Sequence, residues 1–290
     1  MIGIIGGSGL YDMAGLVLDE ERRIDTPFGA PSDALRFGRL DGVRVVFLPR
    51  HGRGHRVNPS EINYRANIWA LKSVGASAVL SVSAVGSMRE EIEPGQLVFV
   101  DQFIDRTRGQ RAHTFFEDGC VAHVGFADPT CPHLSSFLAA EAVRAGIEHH
   151  LGGTYICIEG PQFSTRAESR MYRGWGASVI GMTNLTEAKL AREAELHYAT
   201  IAMSTDYDVW HESEEDVTVA AVLATMRNNV AKAQTVIRAS VPVIDRWLAG
   251  DSGESCACPR ALGFAIMTDP ALIPAATQDR LELLLRRSKG

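Results

Sequence analysis

Short, mostly apolar runs that break off into glycine, hydroxyl or charged residues most constrain how this chain can fold. Ile2–Ile5, Val43–Leu48, Ala78–Val82, Leu97–Val100, Thr154–Ile158, Ala177–Ile180 and Tyr198–Ala202 all have strand length and are apolar without clean alternation, the pattern of strands buried on both faces. Helix-compatible stretches at 65–71, 135–145 and 185–195 separate several of them. This alternation predicts an α/β fold, a single domain over residues 1–248 around a central mixed, largely parallel β-sheet flanked by helices. Residues 249–290 read as a tail, with a small polar connection at 249–254, Cys256-Ala257-Cys258, and a short amphipathic helix at 278–287 carrying leucines at 281, 284 and 285.

In open α/β sheets ligands bind where strands end, so the residues just after each run are the candidates for chemistry. After the first run, Gly6-Gly7-Ser8-Gly9 lets backbone N–H groups approach an anion, with a hydroxyl from Ser8. The full G-x-G-x-x-G spacing of a dinucleotide loop is missing. The next run exits into Arg50-His51, where a ribose-binding loop would place an acid; this pair suits phosphate or sulfate. Ser83-Ala84 and Met182-Thr183 follow two further runs, and Glu159 to Ser164 follow another. Between about 105 and 132, weak periodicity around His113 and His123 reads as a long loop or lid.

The most abrupt exit is Met203-Ser204-Thr205-Asp206-Tyr207-Asp208-Val209-Trp210. On an extended backbone, residues two apart point to one side, so Asp206 and Asp208 are placed to grip neighbouring polar atoms of one ligand. Solvated turn residues are the ordinary alternative for aspartates in such a stretch. Beyond them, Val219, Val222, Leu223, Met226 and Val230 recur at helical spacing, a stripe suited to core packing or to walling a pocket.

The exits define two poles. Hydroxyls, glycine amides, one arginine and one histidine describe a pocket for inorganic phosphate; carboxylates beside apolar residues suit a heterocycle that offers donors or takes a proton. A sugar fits between them, and the reaction joining the poles is phosphorolysis of a nucleoside, which needs phosphate as co-substrate, no cofactor and no metal. The formal charge of −6 argues against general nucleic-acid or membrane-surface binding, which recruits basic patches. The chain shows neither a signal-like leader after Met1 nor eighteen consecutive apolar residues, so it is expected to be cytoplasmic. Five scattered cysteines imply no disulfide framework. The CxC pair reads as redox-active, metal-ligating or two ordinary thiols; the last is preferred because no second Cys/His pair lies nearby in sequence.

Six ordered motifs carry a resemblance: 3–10 (GIIGGSGL), 25–32 (DTPFGAPS), 50–52 (RHG), 63–71 (NYRANIWAL), 101–107 (DQFIDRT) and 159–168 (EGPQFSTRAE). Over residues 1 to about 248 the chain resembles the trimeric purine nucleoside phosphorylase family, in its methylthioadenosine phosphorylase branch. The resemblance implies a homotrimer acting on methylthioadenosine and phosphate. It assigns phosphate to Ser8, Arg50, His51, Ser83, Ala84 and Thr183, with Ser8 and Ser83 standing where relatives often have threonine. It places Met182 near the ribose hydroxyls, with Ser164 and Phe163 beside sugar and base. Val219, Val222 and Leu223 would contact the 5′-methylthio group, with His123 of an adjacent subunit. Asp206, at whose position relatives preferring 6-oxopurines carry asparagine, would be the general acid to the base, supported by Asp208. Three other readings remain: a purine nucleoside phosphorylase of broader or 6-oxopurine specificity, a transferase using Asp206 and Asp208 as a metal-binding D-x-D, and a binding module that retains the pocket.

Overall fold

The protein, described as a computed structural model, is defined over residues 1–7, 9–10, 13–107, 109, 111–211, 219–250 and 256–286, with side chains from 224 onward in the helix starting at Val219. Strands β1 (Ile2–Gly6), β4 (Val43–Pro49), β5 (Ala78–Ser87), β9 (Thr154–Ile158), β10 (Val179–Gly181) and β11 (His197–Asp206) coincide with apolar runs of the sequence. β1 lies parallel between β4 and β5, and β11 runs parallel along the other side of β5. β6 (Leu97–Phe99) continues antiparallel from β11 and pairs with β8 (His149–Leu151). The far end of β5 pairs antiparallel with β10, which leads through β9 to β7 (Gln102–Arg106). The sheet is therefore mixed, and β5 is its hub.

The apolar runs lack alternation because both faces of the sheet are covered. In β4, Val46 and Leu48 face one core while Val45 and Phe47 face the other; in β1, Ile5 and the pair Ile2/Ile4 divide the same way. Helices α1 (Tyr64–Ser73) and α4 (Asn184–Glu193) cover the first face; α2 (Pro132–Arg144) and α5 (Val219–Ala249) cover the second. The hairpin of β2 (Leu16–Arg22) and β3 (Leu35–Leu40) at the sheet edge lies outside the apolar runs, since six of the seven β2 residues are exposed and their side chains are mostly charged. Among the described residues, no helix is long and apolar enough to cross a membrane.

The segment expected to be a long loop or lid is a long loop, packed as a strut. It lacks regular structure over most of its length, but Phe115 and Cys120 are fully buried and Arg111 is 4% exposed. Phe28 and Trp69 close around the Phe115 ring at 5.1 and 5.8 Å between centroids. The tail covers this strut: Ala122 bridges Ile266, and Leu262, Ile273, Leu281 and Leu284 join the same core. The terminal helix α6 (Ala275–Leu285) begins three residues earlier than the leucine spacing predicts and hydrogen-bonds through Thr277 to the Asp118 carbonyl.

Glu193, from the last turn of α4, holds the strut by accepting 2.7 Å hydrogen bonds from the Phe115 N–H and the Thr114 hydroxyl. Burial pushes its carboxyl up to about 7, against the pull of those two donors. The folded chain thus holds this proton more tightly than the unfolded chain. Stability from it is complete below about 4.5 and is lost as pH rises through about 7. The wild type's unfolding free energy, relative to Glu193→Gln, should therefore fall across that window, measured by urea titration at several pH values. A pH-independent difference would contradict the assignment.

Candidate active site

The strand exits converge on one cavity of about 690 Å³. Gly7 follows β1, Arg50 and His51 follow β4, and Ser83 to Gly86 form the end of β5; Met182 and Thr183 follow β10, and Asp206 closes β11. Parallel register explains the convergence, since Gly6 aligns with Pro49 and Ala202 with Ser83. A bulge between Ser204 and Asp206 then shifts the β11 register so that Asp206 falls opposite Gly86.

One end of the cavity gathers neutral donors suited to an anion. Thr183, at the N-cap of α4, lines the cavity and does not cap the helix with its side chain, so the positive end of the helix dipole lies at this end. The Ser83 hydroxyl is buried without a well-formed hydrogen bond, an omission that costs about 1–3 kcal/mol unless a ligand oxygen completes it. Ala84, exposed at the cavity wall, leaves room beside it.

Arg50 lines the cavity, but its charge is turned to the floor. Its Nε donates to Glu187 Oε1 at 2.5 Å, Nη2 donates to Ser81 Oγ and Glu187 Oε2, and Nη1 donates to the Val82 carbonyl. Four of its five N–H groups are thereby engaged, leaving one on Nη1. Burial alone would draw the guanidinium pKa down; the Glu187 charge outweighs it and holds the pKa above its usual range. Glu187 also accepts from Ser81 and Tyr198, and Asn184 joins Ser81, Tyr198 and Thr200 beneath.

His51 brings no positive charge either. Its Nδ1 lies 2.8 Å from the Val57 carbonyl and so carries the ring proton. Burial, only partly opposed by that bond, pulls the imidazole down to about 4. At neutral pH its Nε2 is an acceptor, suited to the P–OH of hydrogen phosphate or to a sugar hydroxyl.

At the other end, each Asp206 carboxylate oxygen already accepts one bond, Oδ2 from Thr205 Oγ1 at 2.7 Å and Oδ1 from the Asp208 N–H at 2.9 Å. A further acceptor position remains on each oxygen for a ligand. The two aspartates do not share a strand face as expected. β11 stops at Asp206, and Asp208, at φ 47°, opens a 3₁₀ turn that sends its carboxylate to Ser169 at 2.6 Å and Ser164 at 3.2 Å. Burial raises the Asp208 pKa despite those hydroxyls. This arrangement is not a two-carboxylate metal clamp. Gly86 fits closely here, because a Cβ would sit tightly at 3.0 Å from Ile180 Cγ2 and 3.2 Å from Asp206 Oδ1.

Phe163, 81% exposed, and Ser164 form one wall with Met182, while Met226, Arg227 and Val230 of α5 form another. Ser8 lies outside the described residues, as do the side chains of Val219, Val222 and Leu223. His123 is exposed and does not line its own chain's cavity; its backbone N–H donates to the Ala265 carbonyl. Arg111 was not singled out from sequence, and Glu159 only as the start of a polar strand exit, yet together they brace the wall. Arg111 donates to the Glu159 carboxylate at 2.9 Å and to the carbonyls of Glu159 and Met182, and Ser60 donates to the same carboxylate.

The model of the phosphorylase superfamily matches residues 1–242, and the chain belongs to that superfamily. Within it, the chain is 59% identical over 285 residues to S-methyl-5′-thioadenosine phosphorylase of Geobacter sulfurreducens, covering 98% of each. The counterpart from Koribacter versatilis is 50% identical, with 100% of this chain and 97% of that protein covered. A crystal structure of methylthioadenosine phosphorylase from an antarctic soil metagenomic library superposes with a TM-score of 0.91 at 48% identity, covering 98% of each chain. The Schistosoma mansoni enzyme in complex with adenine gives 0.82 at 37% identity, covering 90% of this chain and 98% of that one.

The Arg50–Glu187 pair under the floor gives a direct stability test. Glu187→Ala leaves a buried, unpaired guanidinium and should cost about 3–5 kcal/mol in urea unfolding. A loss below about 1 kcal/mol would show that the pair does not hold the floor together.

Proposed function

We propose that this chain catalyses phosphorolysis of S-methyl-5′-thioadenosine, releasing adenine and 5-methylthioribose 1-phosphate. The observation that carries this reading is a single cavity with a carboxylate at one end and a helix N-terminus with hydroxyls at the other. The full-length relatives named for this activity support it. In the reaction an oxygen of inorganic phosphate bonds to C1′ as the C1′–N9 bond breaks, and the electron pair of that bond leaves with adenine. Positive charge grows on the ribosyl ring, where the bound phosphate anion faces it, and negative charge on the base, where a proton donated by Asp206 takes it up.

In this reading Ser83, Thr183, the α4 N-terminus and the remaining Arg50 N–H hold phosphate, with Ser8 and the Ala84 backbone beside it. His51 Nε2 accepts a hydrogen bond from phosphate or a ribose hydroxyl. Met182 and Ser164 lie along the sugar, and Phe163 covers the base. Asp206, in its protonated form, donates to adenine N7 and accepts from the 6-amino group; the Asp208 N–H fixes its orientation. Val219, Val222 and Leu223 are assigned to the methylthio group. His123, remote from its own cavity, is assigned to a neighbouring subunit's cavity in a homotrimer.

Methylthioadenosine, adenosine and methylthioinosine, each incubated with and without phosphate, test the reading. Base release should be fastest from methylthioadenosine and should require phosphate; equal release without phosphate, or none, would overturn it. Asp206→Asn should shift kcat/KM from 6-amino towards 6-oxo substrates by on the order of 10-fold or more per hydrogen bond changed. An unchanged ratio would remove Asp206 from base recognition.

A further inference from the structure

Away from the cavity, the fold gathers four soft or borderline ligands that the reaction does not use. Cys131 stands at the N-cap of α2, His197 is the first residue of β11, and Cys256 and Cys258 lie on the tail beyond α5. All four are buried, and their ligand atoms lie within 4.8 Å of one another. The second Cys/His pair missing near Cys256-Ala257-Cys258 in sequence is supplied in space by residues about 60 and 125 positions upstream.

The spacing is that of tetrahedral coordination. Zn–S bonds of about 2.3 Å and Zn–N bonds of about 2.0–2.1 Å at tetrahedral angles put two sulfurs about 3.8 Å apart and sulfur and nitrogen about 3.5 Å apart. The Cys131 and Cys256 sulfurs are 3.7 Å apart, and Cys131 Sγ lies 3.4 Å from His197 Nδ1. A disulfide would bring two sulfurs to about 2.05 Å, and the cysteines are free thiols. The ring of His197 is set by edge-on packing against Trp247, 4.7 Å between centroids, and the Cys131 N–H donates to the Tyr198 carbonyl. The two body-side ligands are thus placed by the sheet and its covering helices, with the Arg192 guanidinium a nearby positive charge.

We propose that Cys131, His197, Cys256 and Cys258 form a closed, structural zinc site that fastens the tail to the body. Three thiolates and one imidazole complete a tetrahedron with no open position, which suits structure rather than catalysis. The position explains its use. Four residues past Cys258, Leu262 enters the core, and from there the tail clamps the strut that carries Arg111 to the cavity wall.

The test is metal analysis of full-length protein expressed with zinc and purified under reducing conditions. About one zinc per chain is expected, and exchange for cobalt should give the visible absorption of tetrahedral thiolate-bound Co²⁺. His197→Ala and the double variant Cys256→Ser/Cys258→Ser should lose the metal and lower the midpoint of thermal unfolding, while Cys120→Ser, a buried cysteine outside the cluster, should keep it. The wild-type measurements decide the matter if a variant does not fold. Metal-free wild type despite zinc supply, a disulfide among these cysteines in the reduced protein, or zinc retained by the double variant would each overturn the proposal.

Discussion

The buried ion pair between Arg50 and Glu187 organises the rest of the site. It ties the exit of β4 to α4, and through Ser81, Asn184, Tyr198 and Thr200 it engages β5 and β11 in one hydrogen-bonded floor. A charge this deep is tolerated only when paired and fully hydrogen-bonded, so the network dictates where those elements end relative to one another. The consequence for chemistry is an arginine neutralised from below. With His51 also uncharged, the anion end depends on the α4 N-terminus and on hydroxyls. Such a site is suited to an anion held by directed donors, in a protein of net charge −6.

The opposite end follows another logic. Thr205 and the Asp208 N–H orient the Asp206 carboxylate, while Asp208's own carboxylate is occupied by Ser164 and Ser169. The pair that looked like twin ligands points apart, because the 3₁₀ turn breaks the strand between them and turns Asp208 to Ser164 and Ser169. Fixed groups that need no reorganisation as charge develops are what an enzyme of this kind requires.

The central strands were legible because burial on both faces leaves their sequences apolar throughout, and their exits were legible because polar residues appear there abruptly. β2 was not, since an exposed, charged edge strand carries no apolar signal. The strut at 105–132 looked like a lid because irregular backbone has no period, yet isolated residues such as Phe115 and Arg111 anchor it through contacts distant in sequence. Cys256-Ala257-Cys258 shows no companions in sequence for the same reason, Cys131 and His197 reaching it from distant elements. Periodicity reports what an element buries; it does not report which distant loop arrives beside it.

The central claim is that one cavity holds phosphate at the Ser83–Thr183 end and a purine at the Asp206 end. A crystal structure of the protein with adenine and inorganic phosphate tests this most directly. The account predicts adenine N7 and the 6-amino nitrogen within hydrogen-bonding distance of the Asp206 carboxylate, and phosphate oxygens against Ser83 Oγ and the first N–H groups of α4. Adenine bound away from Asp206, or phosphate bound outside the mouth of α4, would contradict it.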